Sequence, residues 1–210
     1  MKALHFGLAL GLFAASSAAN AVVVVQYSQI GKSNTLHLTN SGTAFTTGTI
    51  GAPTVTITLN DPFSNATLVT TGKISFTGIG TGLAVVAGST ARQAITSGTF
   101  AITASAPINF ASYSGTNILS GTFTNGFIYG ELGTRTPQLS VNIPTGTFAS
   151  VTSDFFFDPR LFLTDLSITT SGSSPLLALI PAGGGNQKLR NFRSSSTGTF
   201  DMAVVPEPSS

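Results

Sequence analysis

Thr54-Val55-Thr56-Ile57-Thr58-Leu59 alternates a hydroxyl side chain with an aliphatic one at every step. A period of two is the period of a β-strand, so Val55, Ile57 and Leu59 share one face and the threonines share the other. The same alternation returns in Gln138-Leu139-Ser140-Val141-Asn142-Ile143 and in Thr99-Phe100-Ala101-Ile102-Thr103. Strands of this kind bury one face and wet the other, as in antiparallel sheets. Threonine suits the wet face, because its β-branch fits the pleat while its hydroxyl meets water. No stretch after residue 21 carries a sustained helical pattern of apolar residues, and Gly or Pro recurs too often for long helices. One short helical turn is predicted at Ser89-Thr90-Ala91-Arg92-Gln93-Ala94, with Ser89 as its cap.

Working outward, a motif repeats. Thr47-Gly48-Thr49-Ile50, Ser97-Gly98-Thr99-Phe100, Ser120-Gly121-Thr122-Phe123, Thr145-Gly146-Thr147-Phe148 and Thr197-Gly198-Thr199-Phe200 share one form. Weaker copies stand at Thr71-Gly72-Lys73-Ile74 and Ser171-Gly172-Ser173, so the glycines recur about every 25 residues. The reading is that each glycine supplies a positive φ or a bulge where a strand begins, and that the apolar residue two places on enters the core. Two architectures fit the period. The expected fold is all-β, an antiparallel β-sandwich or jelly-roll-like arrangement built from two-strand units with about ten residues per strand. The alternative is a β-solenoid with one coil per repeat. The loose spacing and the dense apolar run from Asp154 to Leu163 favour the sandwich. That run, broken at Asp158-Pro159, is expected to form two buried core strands joined at a tight corner; its functional reading is an exposed Phe patch.

The 210 residues include 31 threonines, 25 serines and 23 glycines, with 16 of 19 aromatics being Phe. Only 8% are charged, against roughly 25% in an average domain. The net charge is +2, and between Ile74 and Gly130 the one charged side chain is Arg92. Strong phosphate-backbone binding needs on the order of 6–10 cationic contacts, so nucleic acid is not an expected partner. The densest basic spot, Lys188, Arg190 and Arg193 beside Gly183-Gly184-Gly185, reads as a solvated loop.

The N-terminus has the three-part layout of a secretory signal. Lys2 is followed by an apolar run from Ala3 to Ala15 and then by Ala19-Asn20-Ala21, with cleavage expected between Ala21 and Val22. The run is too short to span a bilayer, which needs about 20 residues. Residues 1–21 are thus read as a signal peptide, 22–203 as a single β-rich domain and 204–210 as a separate terminal segment. An exported chain without cysteine has no disulfides and depends on sheet packing.

The terminal Val204-Val205-Pro206-Glu207-Pro208-Ser209-Ser210 resembles the opening of a PEP-CTERM sorting signal. Such signals occur on exported proteins of Gram-negative bacteria that make extracellular polysaccharide. By position, Pro206, Glu207 and Pro208 match the motif. In that family an apolar span and an Arg-rich end follow, and the membrane protease exosortase processes the tail. Neither follows here, which reads as truncation after the motif. The resemblance implies signal peptidase and exosortase as processing partners, transient membrane anchoring, and association with exopolysaccharide or biofilm at the cell surface or in the matrix.

Candidates for chemistry are few. After cleavage the one histidine is His37, in a predicted strand, and no nucleophile elbow or phosphate-binding loop accompanies it. Without Cys, thiol catalysis and Cys/His zinc sites are excluded. A glycosidase needs two carboxyls roughly 5–9.5 Å apart, and Glu131 with Asp154 or Asp158 is the pairing the sequence offers. For calcium it offers Asp154 and Asp158 with neighbouring carbonyls, short of a loop of closely spaced Asp. No catalytic residue, metal or cofactor is expected. The leading expectation is a non-enzymatic, exported surface or matrix protein that displays a hydroxyl-rich sheet and tolerates polysaccharide. The alternatives are a secreted matrix hydrolase and a self-assembling adhesive protein that associates through sheet edges.

Overall fold

The computed structural model describes residues 21–29, 36–40, 44–47, 54–142, 147–156 and 161–204. The strands are β1 (Ala21–Gln29), β2 (Leu36–Asn40), β3 (Ala44–Thr47), β4 (Thr54–Asn60), β5 (Thr67–Ala87), β6 (Thr90–Phe110) and β7 (Tyr113–Glu131). They continue as β8 (Gln138–Asn142), β9 (Thr147–Thr152), β10 (Leu161–Ser174), β11 (Leu179–Gly183), β12 (Asn186–Leu189) and β13 (Phe192–Val204). The fold is all-β. Eleven strands form one sheet, and β11 and β12 form a separate hairpin.

Every pairing among the described strands is antiparallel, the arrangement of a sandwich and not the parallel stacking of solenoid coils. The sheet closes on itself: β1 pairs β4, then β5, β6, β7, β8, β10 and β13 follow, and β13 pairs β1. The β2–β3 hairpin makes a second bridge, joining β13 at Phe192–Ser194 to β5 at Thr77–Ile79. Closure of this kind removes most open edges.

Alternation decides which side of the wall each residue meets. Val55, Ile57 and Leu59 are fully buried, as are Val141 and Ile102, and Leu139 and Phe100 are nearly so. Of the motif's apolar residues, Ile74, Phe100, Phe123 and Phe200 enter the core, Phe148 is half-buried against it, and Ile50 lies outside the described residues. Strand length departs from the ten residues expected. β5, β6 and β7 run for 21, 21 and 19 residues, so one period of the repeat is one long strand and its turn.

The glycines have a different job from the one expected. Of the motif glycines described, only Gly172 has a positive φ. Gly98 lies opposite Phe123, and Gly121 lies opposite Phe100. A Cβ at Gly121 would sit 2.9 Å from the Phe100 Cζ, and one at Gly98 would enter the Phe123 ring and the Thr77 carbonyl. Antiparallel pairing thus makes the motif self-complementary: the glycine of one copy makes room for the phenylalanine of the next. Gly198 does the same for the buried ring of Tyr27 on β1. The rings then meet one another, Phe76 stacked on Phe123 at 5.1 Å and Phe100 tilted against Phe200 at 5.3 Å. Burial pushes the Tyr27 phenol well above its ordinary pKa, against a smaller opposing effect of its hydrogen bond to Ser196.

Two other expectations are corrected. Residues 89–94 do not form a helical turn; Gly88 and Ser89 turn the β5–β6 hairpin and β6 begins at Thr90. Gly88 at φ 60 explains why: it accepts the left-handed conformation such a two-residue turn needs. Of the run from Asp154 to Leu163, residues 154–156 form no strand, residues 157–160 lie outside the described residues, and residues 161–163 open β10 with Leu163 buried. The Ser153 hydroxyl donates to the Ile118 carbonyl at 2.6 Å and accepts from the amides of Phe155 and Phe156, bending the chain instead. Phe155 is buried there against Phe110, while Phe162 on β10 is exposed.

Candidate functional site

The outward face of the wall carries the chemistry. Register sets its residues in rows across neighbouring strands. One row runs Thr58 on β4, Gln26 on β1, Thr199 on β13, Ser167 on β10, Ser140 on β8, and ends at Phe127 on β7. The next row runs Thr56, Ser28, Thr197, Thr169, Gln138 and Tyr129, and continues to Arg92 on β6 and Val85 on β5. All of these side chains are exposed or half-buried. Neighbours are spaced about 4.8 Å between strands and about 6.8 Å along them, so hydroxyls and amides extend over roughly 25 Å before the aromatic end. A shallow groove of 260 Å³ lies within the rows between Thr56 and Thr169.

At the end of the rows the composition changes. The Arg92 Cζ lies 3.8 Å over the Phe127 ring centroid. Phe127 and Tyr129 lie 5.4 Å apart with their planes tilted by 46°. The Tyr129 hydroxyl donates to Gln138 Oε1, fixing the phenol against β8. Beside them Val85 is 69% exposed and Leu83 49% exposed. Two residues beyond Tyr129, at the end of β7, Glu131 accepts a hydrogen bond from the Ser89 hydroxyl at 3.3 Å. The corner is amphipathic: two aromatic rings and two aliphatic side chains around one guanidinium.

The acids divide into a separated set and a juxtaposed pair. Asp154 Oδ2 accepts from the amides of Thr116 and Asn117, at 2.8 and 2.7 Å, near the start of β7. Glu131 ends the same strand. The fourteen steps from Asn117 to Glu131 span roughly 45 Å of extended chain, so the fold does not bring Glu131 and Asp154 to glycosidase distance. Asp158 lies outside the described residues. By contrast Asp165 on β10 and Asp201 on β13 stand directly opposite each other. Burial pushes the Asp165 carboxyl up, the Asp201 charge adds to it, and the backbone hydrogen bond at Leu166 opposes both. Burial raises the Asp201 carboxyl as well, and its Oδ1 has no hydrogen-bond partner. Among the described residues no group of three His, Asp or Glu side chains is placed to hold a metal ion.

Ala21 and Val22, the expected cleavage pair, are the first two residues of β1, opposite Ala203 and Met202. Ala19, Pro206, Glu207 and Pro208 lie outside the described residues. His37 falls in β2 opposite Arg193. Gly184 and Gly185 turn the β11–β12 hairpin, Lys188 lies in β12 opposite Ile180, and Arg190 follows the strand. The aromatic corner and the Asp165–Asp201 pair escaped the sequence reading. For the corner two signals were present: Arg92 as the lone charge between Ile74 and Gly130, and the alternation of Phe127 with Tyr129.

The wall also argues about its solvent. Its inward side is apolar and its outward rows are hydroxyls and amides, the reverse of a barrel wall that faces lipid. No family model, no curated protein and no solved structure matches this chain.

Proposed function

We propose that this chain is an exported, non-enzymatic protein of the cell surface or extracellular matrix, sorted through its PEP-CTERM-like terminus and associated with exopolysaccharide through the outward face of its closed sheet. The observation that carries the reading is the continuity of the outward rows, from Thr56 and Thr58 across five strands to Phe127 and Tyr129. A glycan presents hydroxyls along its edges and C–H groups on its ring faces. The rows supply hydrogen-bond partners for the first, and the aromatic end supplies a surface for the second. The scarcity of charge outside the corner suits a long neutral or weakly charged polymer. The terminal signals supply the address: signal peptidase acts before Val22, and exosortase acts beyond Pro206-Glu207-Pro208.

The test is cosedimentation of the full chain, secreted and processed by a Gram-negative host, with exopolysaccharide from an exosortase-bearing bacterium. Retention is expected to survive 0.15 M salt, because hydroxyl contacts are not screened as surface charges are. It is expected to weaken when Thr56 and Thr197 are both replaced by Val. Absence of retention on any polymer from such a bacterium overturns the reading.

A further inference from the structure

The corner at the end of the rows has a property the rows lack. Arg92 is the one charged side chain between Ile74 and Gly130, and it stands exposed on the outward face between Val85 and Tyr129. At 3.8 Å from the Phe127 centroid, the planar guanidinium lies against the ring face. The contact engages the face of the ring and leaves the N–H groups available to donate. Among the described residues, no carboxylate accepts from those groups; Glu131, the nearest acid along β7, is engaged by Ser89. A guanidinium seated over a ring, with no carboxylate on its N–H groups, is a fork for a carboxylate. Tyr129 sits on the same side with its hydroxyl committed to Gln138, so its ring presents carbon to the solvent. Leu83 and Val85 extend that apolar margin.

We propose that Arg92, Phe127, Tyr129 and Gln138 form a subsite for a carboxylate-bearing sugar, so that the outward face prefers a uronate-containing polysaccharide to a neutral one. The inference rests on the proposed glycan-binding reading and deepens it. Arg92 donates two parallel N–H bonds to the uronate carboxylate, the Tyr129 ring meets the C–H face of the same sugar, and the hydroxyl rows take the flanking sugars. A lysine would supply charge without the fork. The charge serves to select among glycans, since one guanidinium is far short of what a polyanion needs for strong unspecific attraction.

The experiment is affinity electrophoresis of the full chain through gels containing polygalacturonate or the same polymer with its carboxyl groups reduced, at 0.15 M salt. The intact chain is expected to bind polygalacturonate about tenfold more tightly than the reduced polymer, the worth of one charge-assisted hydrogen-bonded pair. In Arg92→Gln that ratio is expected to fall close to one, and Arg92→Lys is expected to recover only part of it. Thermal melts of both variants confirm that the chain is folded. Equal ratios in the intact chain and in Arg92→Gln overturn the subsite, as does full recovery by Arg92→Lys, which would reduce it to simple charge. Binding to the reduced polymer without preference for the acidic one overturns this inference and leaves the glycan-binding reading standing. Retention on neither polymer, together with no retention on native exopolysaccharide, overturns both.

Discussion

Strands β6 and β7 place aromatic rings on both sides of the wall, and the two sides treat them differently. Inside, Phe100 and Phe123 each lie over a glycine of the partner strand and are almost wholly buried. Outside, Phe127 has Ala94 opposite it, carries the guanidinium of Arg92 on its face, and remains half-exposed. An aromatic ring with a glycine beneath it is a packing element: the missing Cβ fixes its place, and its area is spent on stability. An aromatic ring beneath a guanidinium on a wet surface adds little to stability and keeps faces and edges available. The same residue type therefore builds the wall on one side and furnishes a site on the other.

The sharpest break of the inner arrangement is Phe123→Ala. Phe123 is 1% exposed, stacks on Phe76 and covers Gly98. Its loss is expected to cost about 4 kcal/mol in urea unfolding. Gly98→Ala attacks the pair from the other side, since the new Cβ would enter the Phe123 ring and approach the Thr77 carbonyl, which is backbone and cannot swing away. A destabilisation of about 3 kcal/mol is expected. If complementarity is the cause, Phe123→Leu should partly relieve Gly98→Ala, with a coupling of about 1 kcal/mol in a double-mutant cycle. Strict additivity would show that the glycine serves something other than the ring.

How far the sequence was legible follows from the range over which each feature is encoded. The alternation at Thr54–Leu59 is local, so six consecutive residues suffice to identify the buried face of β4. The role of Gly98 could not be identified in that way, because its partner Phe123 lies 25 residues on and only the β6–β7 register sets them opposite each other. A glycine in a strand-forming sequence suggests a turn or bulge by its own chemistry, and nothing local announces a ring from the neighbouring strand. The corner was hidden for the same reason: Arg92 and Tyr129 meet through register alone. The acids teach it most plainly. Glu131 and Asp154 are nearer in sequence than Asp165 and Asp201, yet the fold separates the first pair along β7 and opposes the second across β10 and β13.

That opposed pair offers a smaller test, lying on the outward side yet partly withdrawn from water. Both carboxyls are raised above their ordinary value of 3.8 by burial, and Asp165 also by the Asp201 charge. The folded state therefore holds protons there more tightly than the unfolded chain. The associated stability is fully present below about pH 4 and is lost as pH rises through the elevated folded values. Asp201→Asn removes one of two like charges standing opposite each other, so near pH 7 it is expected to stabilise the fold by about 0.5 kcal/mol. The gain should shrink toward acid, as the intact pair takes up protons. Urea melts of both chains across pH 4–7 isolate the pair, because every other acid is common to them. A gain that is constant with pH, or grows toward acid, would contradict it.

The smallest expected effect carries the comparison's other half. Arg92→Gln should change the unfolding free energy by no more than about 0.5 kcal/mol, the worth of an exposed cation–π contact. A cycle with Phe127→Leu should return a coupling of that size and no more. The contrast with Gly98→Ala is then several-fold for substitutions on the same strand, six residues apart. A wall residue and a site residue differ in this respect whatever their chemistry: the first is held by what surrounds it, and the second is placed by the strand and left with unused bonding capacity. If Arg92→Gln instead destabilises as much as Gly98→Ala, the guanidinium is a structural clasp over Phe127. Its edges would then be committed to the fold, and the outer corner would belong with the inner seam as packing.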